Sequence, residues 1–188
     1  MNTYDIEQAF TDVYGESLMQ SIAKSFGCQN IERVLDRENQ IQGVDYWMWK
    51  SGPRSIKQAV DLKIDYYENE NVAFELYQQY QGEGEKSWVE HNGDIWVAYF
   101  KVSKRQVWVY KTSDLKKFME TDLFNKRKTF ETIRAVNGKK GAFKNFRYNE
   151  LPLHHIVDVS LFYNPFTADK TLLRTKSSMR DFDLYATK

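Results

Sequence analysis

Residues 41–77, IQGVDYWMWKSGPRSIKQAVDLKIDYYENENVAFELY, constrain the fold more than any other stretch. Three runs rich in Val, Ile, Trp, Tyr and Phe are separated by the clusters SGPRS and ENEN. Such spacing predicts three consecutive β-strands, near 43–50, 55–65 and 72–80, joined by tight turns into a meander. Charged residues interrupt the runs: Asp45 in the first, Asp61 and Lys63 in the second, Glu75 in the third. Strand side chains alternate, so Asp61 and Lys63 share one face while Val60, Leu62 and Ile64 share the other. Charge on a half-buried sheet is costly unless it is paired or holds a cation. Three carboxylates and a lysine on neighbouring strands therefore read as a site. The alternative is an edge hairpin whose charges face water and pair across strands.

The chemistry that suits these residues is phosphodiester hydrolysis. Mg²⁺ and similar hard cations take one or two carboxylates plus waters and phosphate oxygens. A cation held there activates water and polarises the phosphoryl group, and a neighbouring ammonium offsets the charge that builds on the phosphate. The order G-V-D, a hairpin, then D-L-K resembles the PD-(D/E)XK nuclease superfamily, with its restriction-endonuclease-like fold. The resemblance covers about residues 10–125 and places Asp45 at the first acidic position, Asp61 at the second and Lys63 at the lysine. It makes Glu75 the additional acid seen in some branches, either a third ligand or a water-mediated base. Val44 stands where the family has proline. Some branches also reach the metal with a glutamate from the first helix, which makes Glu16 a secondary candidate. The implied cofactor is Mg²⁺ or Mn²⁺ and the implied substrate is DNA, with RNA as the second form. Restriction-like members that cut both strands often act as dimers, so a homodimer is the matching expectation. The alternative from a different class is a catalytically inactive module on the same fold that binds nucleic acid or protein.

A second D-x-K, Asp114-Leu115-Lys116, follows Thr112 and Ser113 and opens an amphipathic run. It reads as a capped helix start. Residues 5–26 read as a longer helix, with Ile6, Phe10, Val13, Leu18, Ile22 and Phe26 near helical spacing and Gly27 as its stop. Residues 31–40 are expected as a short strand or turn, with Asp36, Arg37, Gln40 and Gln42 upstream of Asp45. Residues 81–93 read as an acidic, Gly-rich loop or ragged hairpin, with Trp88 a lid over the core. DIWVAYFKV and QVWVYK, within 94–111, are continuous enough in apolar character for central strands covered on both faces. A helix over 113–124 follows. The fold class is α/β (α+β): a mixed central sheet flanked by helices, with a basic β-rich extension from about residue 126. One domain is expected over 1–188, its nuclease-like core spanning about 5–125.

Charge divides the chain. Residues 1–100 carry 8 Lys and Arg against 17 Asp and Glu, while residues 101–188 carry 19 against 9. That pattern suggests an acidic metal-binding half and a basic half that meets a polyanion. The basic residues cluster at Lys126, Arg127, Lys128, Arg134, Lys139, Lys140, Lys144 and Arg147, around a turn marked by Asn137-Gly138. Phosphate contact is the role expected of them. Phe130, Phe143 and Phe146, interleaved with them, are expected in the core.

His154 and His155 are adjacent, so strand alternation sends them to opposite faces, one half-buried and the other exposed. Residues 166–188 are expected to form a final strand or to fray. Cys28 is the only cysteine, which excludes an intramolecular disulfide and a cysteine-based zinc site. No stretch approaches the ~20 apolar residues of a membrane span, and the first residues lack the pattern of a signal peptide. The expectation is a cytoplasmic protein of a bacterial or phage-infected cell, in restriction, repair, recombination or a phage genome.

Overall fold

Helix α1 (Thr3–Ser25) lies against one face of a six-stranded sheet. The computed structural model describes residues 3–36, 39, 43–65, 67–80, 83–86, 89, 93–133 and 140–159. On α1, Phe10, Leu18, Met19, Ile22 and Ala23 are buried. Val13, expected on the same stripe, is instead half-exposed. Gly27 ends the helix with φ +67°. Its N–H bonds the Lys24 carbonyl, and the Cys28 N–H reaches back to Ala23 at 2.8 Å. This paired closure needs a left-handed residue, which glycine supplies without steric penalty.

Gly15 sits mid-helix for a packing reason. A Cβ there would lie 2.4 Å from the Tyr46 hydroxyl oxygen, at the end of a rigid ring that is 1% exposed. That hydroxyl is buried without a hydrogen-bond partner among the described residues. Gly15→Ala gains up to ~1 kcal/mol in helix propensity, but overpacking typically costs ~1–3 kcal/mol, so net destabilisation is expected in chemical denaturation. Tyr46→Phe removes the clashing atom and should restore most of the loss in the double variant. Equal stabilities of wild type and Gly15→Ala would show that the helix shifts freely.

The six-stranded sheet consists of β1 (Asn30–Arg33), β2 (Tyr46–Trp49), β3 (Gln58–Asp65), β6 (Trp96–Lys101), β7 (Gln106–Lys111) and β10 (Leu153–Asp158), in the order β1-β2-β3-β6-β7-β10. Among the described strands of this sheet, β3 and β6 alone pair in parallel. A second, antiparallel sheet has the order β5-β4-β9-β8, from β4 (Asn71–Tyr80), β5 (Glu83–Lys86), β8 (Thr129–Ile133) and β9 (Lys140–Arg147). The fold is mixed α+β.

The expected meander is therefore corrected. β4 does not pair with β3 but crosses into the second sheet, and β6 takes its place. The residues account for the exchange. β6 is apolar on both sides, with Val97, Ala98, Tyr99 and Phe100 all buried, which suits the sheet centre. β4 buries Val72 and Phe74 completely while Ala73 between them is exposed, as a sheet with one covered face requires. Val72 and Phe74 pack with Phe146 of β9 against Val97, Tyr99, Trp108 and Tyr110 of the first sheet. Three layers result: α1, the six-stranded sheet and the four-stranded sheet.

The helix expected over 113–124 is two short ones, α2 (Thr112–Met119) and α3 (Asp122–Lys126). Thr121 separates them and caps α3 by accepting from the Phe124 N–H at 3.3 Å. Asp114 lies in the first turn of α2, as expected of the second D-x-K, but no side chain caps that helix. The Thr112 hydroxyl instead accepts from the Ile95 N–H at 2.9 Å.

A bulge between Leu153 and His155 breaks the pairing of β10 with β7. It cancels the alternation expected of the two histidines, because an inserted residue resets which face follows. Both are exposed, and both rings approach Phe26, with centroids 6.3 and 5.7 Å away. Among the described residues, no helix is long and apolar enough to cross a membrane. The expectations for Arg37, Gln40, Gln42, Trp88, the Asn137-Gly138 turn and residues 166–188 lie outside the described residues.

Candidate metal centre at Asp45 and Asp61

Three of the sequence-selected residues meet. Asp45 immediately precedes β2, and Tyr46 pairs with Val60 of β3, so Asp45 comes beside Asp61. On β3, Val60, Leu62 and Ile64 turn into the core beneath α1. Asp61, Lys63 and Asp65 consequently turn to the opposite face.

Asp45 is held from one side by the backbone, its Oδ2 accepting from the Leu62 N–H at 2.8 Å. Its other neighbour is the Asp61 carboxyl, within reach of a shared hydrogen bond. Burial first, and the Asp61 charge second, push Asp45 up to about 7. The Lys63 ammonium and the Leu62 N–H oppose that rise without cancelling it. Lys63 Nζ lies 2.8 Å from Asp61 Oδ1, with a side chain 37% exposed against 3% for Asp61. This contact is an ion pair lacking hydrogen-bond geometry, so both Asp61 oxygens are buried without a donor among the described residues. Buried acceptors without donors are costly. A proton on Asp45 relieves that cost, and so would a cation.

The donor set fits a hard divalent cation. Mg²⁺ needs only one or two protein carboxylates when waters and substrate oxygens complete its shell. Asp45 and Asp61 are the residues that would hold it. Glu75 does not join them. It lies on β4 in the second sheet, opposite Phe143, and strand alternation puts it on the face away from buried Phe74. Glu16 is exposed on α1. Among the described residues, no group of three or more His, Cys, Asp and Glu side chains could hold a metal. Among those residues the pair stands without a third acid.

The raised Asp45 value has a thermodynamic signature. Between the ordinary Asp value of 3.8 and about 7, the folded chain keeps a proton that the unfolded chain has lost. Stability contributed at Asp45 is therefore greatest at low pH, declines as pH rises through that window, and levels off above it. One proton sets a ceiling of about 1.4 kcal/mol per pH unit. Melting curves from pH 5 to 8 in EDTA should show this decline in wild type and lose it in Asp45→Asn. Parallel curves would show that the carboxylates share no proton.

The sequence reading missed a second buried cluster two residues along the same face. Asp65 accepts from Lys101 Nζ at 2.8 Å and from the Tyr99 hydroxyl at 2.7 Å, while its other oxygen accepts from the Tyr67 N–H. Lys101 is fully buried and also donates to the Asn71 carbonyl. Burial pulls its ammonium below the usual lysine range, and Asp65 opposes that shift. Tyr99 receives the Ala73 N–H at 3.4 Å, so the cluster ties β3 and β6 to the start of β4. The available signal was Lys101 at the end of a run too apolar to leave it exposed.

The basic segment divides. Lys126 pairs with Asp122 at 2.8 Å on the surface, Lys128 is exposed over the Phe130 ring, and Arg147 is exposed. Arg127 is half-buried, bonded to Glu150 at 2.5 Å and stacked over Phe146. Lys144 is a correction: it faces the inter-sheet core, 8% exposed, and donates to the Phe124 carbonyl at 2.7 Å. An even-numbered register with Ala142 and Phe146 turns it inward, so it offers no ammonium to a phosphate. Lys140 contributes its backbone to β9, and Arg134 and Lys139 lie outside the described residues. The three phenylalanines also divide. Phe146 is core, whereas Phe130 and Phe143 lie on the second sheet's outer face.

No protein-family model, no curated protein and no solved structure matches this chain.

Proposed function

We propose that the chain is a Mg²⁺-dependent nuclease that hydrolyses DNA phosphodiester bonds at Asp45, Asp61 and Lys63, on a restriction-endonuclease-like core. The observation that carries this reading is the abutting pair of buried carboxylates, with no donor to the Asp61 oxygens among the described residues and the Lys63 ammonium 2.8 Å away. The core assignment rests on element order: a helix, then an antiparallel hairpin bearing Asp45 ahead of its first strand and Asp-x-Lys on its second.

A divalent ion bound there would supply an activated water and neutralise phosphate charge. Asp45 and Asp61 would hold the cation, Asp45 in its deprotonated form. The Leu62 N–H keeps the Asp45 carboxylate oriented. Lys63 is the member of the set with an exposed side chain. Its ammonium can turn from Asp61 toward an incoming phosphate oxygen and offset charge in the transition state.

The test is incubation of labelled duplex, single-stranded and branched DNA, and of RNA, with Mg²⁺ or Mn²⁺ against EDTA, using Asp61→Asn as control. Metal-dependent cleavage of DNA that the variant lacks supports the proposal. Intact substrates with both ions overturn it, and binding without cleavage then identifies a non-catalytic module.

A further inference from the structure

We propose that the outer face of the second sheet, centred on Phe130 and Phe143, is a stacking platform for the unpaired bases of single-stranded nucleic acid. This face is separate from the Asp45 and Asp61 pair, and the inference does not rest on the nuclease reading.

The sheet's two faces differ in kind. Its inner face buries Val72 and Phe74 of β4 and Ala142, Lys144 and Phe146 of β9. Strand alternation sends Phe143 outward, and the register sets it directly opposite Phe130 of β8. Their rings lie 5.6 Å apart, inclined by 20°, and Phe130 is 37% exposed. Phe143 is half-buried and Phe130 exposed, and an apolar patch of this kind on a surface marks a place where something binds. The neighbouring charge identifies the partner. Lys128 Nζ stands 5.1 Å over the Phe130 ring, and exposed Arg147 ends the strand that carries Phe143.

Aromatic faces edged by cations match a polyanion that bears flat rings. Every base has a π-face, so such a platform takes single strands with little sequence preference. A duplex hides those faces in its own stack. As a strand enters, a base takes the Phe130 face from the Lys128 ammonium, which moves to a phosphate. The backbone would run along the Lys128 and Arg147 sides of the platform.

The experiment measures fluorescence anisotropy with a labelled 12-nucleotide oligothymidine, an abasic strand of equal length and a duplex, all in EDTA so that no cleavage intervenes. Wild type should bind the oligothymidine more tightly than the abasic strand. Phe130→Ala/Phe143→Ala should lose about 10-fold or more of that affinity, with abasic and duplex binding unchanged. Its salt slope should also be unchanged, because no cation is removed. Lys128→Ala should instead flatten the slope by roughly 0.7 for one single-strand phosphate contact. Phe130→Leu/Phe143→Leu preserves apolar bulk without a ring face and should lose the same base-dependent affinity, which separates stacking from packing if the alanine variant unfolds. Equal affinity of wild type for oligothymidine and abasic strand overturns the proposal. So does wild-type oligothymidine affinity in the folded Leu variant. Loss of cleavage in Mg²⁺ with base-dependent binding intact would count against the metal centre alone.

Discussion

Asp61→Asn is expected to abolish divalent-ion binding while making the metal-free protein more stable at pH 8. In wild type, two abutting carboxylates lie in a buried setting, and the Asp61 oxygens have no donor among the described residues. The variant's amide supplies a donor to Asp45 and removes the like charge beside it. Lys63 loses its ion-pair partner, but its side chain is over a third exposed, so solvent screening makes that loss small. The gain should approach ~1–3 kcal/mol, the usual cost of a buried unsatisfied polar group, and should shrink toward pH 4, where a proton on Asp45 relieves the wild-type pair. Mg²⁺ should reverse the ranking. A ligand at 100 times its Kd stabilises its target by about 2.7 kcal/mol, and only wild type should show the shift. Cleavage should fall at least as far as when one stabilising group is lost from such a site, ~10²–10³. Calorimetric titration and melting curves at pH 4 and pH 8 measure each part. Equal Mg²⁺ affinity in both proteins would remove the metal centre.

Lys63→Ala separates the ammonium from the carboxylates. An ammonium is no ligand, and 2.8 Å from Asp61 it repels an entering cation. The variant should bind Mg²⁺ at least as tightly as wild type yet cleave ~10²–10³ more slowly. Metal-free, it should lose little stability, because the contact lacks hydrogen-bond geometry and the side chain reaches solvent. Single-turnover cleavage at saturating Mg²⁺ isolates the chemical step. A wild-type rate there would limit Lys63 to tuning the charge of the pair.

Local pattern carried much of this. The apolar spacing over 5–26 with Gly27 behind it specified α1 and its stop, and the helix forms there because those signals act within a few residues of one another. The alternation VDLKID placed Asp61 and Lys63 on one face without any knowledge of what lay opposite. The turn cluster SGPRS specified the β2–β3 hairpin, and that hairpin alone brought Asp45 to Asp61. Over these stretches the local signals and the structure agree. Gly15 looked like a weakness of the helix because its purpose, room for the Tyr46 hydroxyl, lies on another element.

The sequence by itself determined that a hairpin joins Asp45 to Asp61 and Lys63, and which face of the second strand those two residues share. Tertiary structure alone decided which strands are neighbours. β3 pairs with β6, thirty-one residues after its last residue at the nearest end, because a strand apolar on both faces gains most at the sheet centre. β4, covered on one face only, leaves to build the second sheet. That choice carried Glu75 away from the metal pair, drew Lys144 inward beside Phe74, and left Phe130 and Phe143 outside. It also buried Asp65 with Lys101. Strand pairing between distant segments depends on the total surface each arrangement removes from water. That sum belongs to the packed sheets together and to no single stretch of the chain.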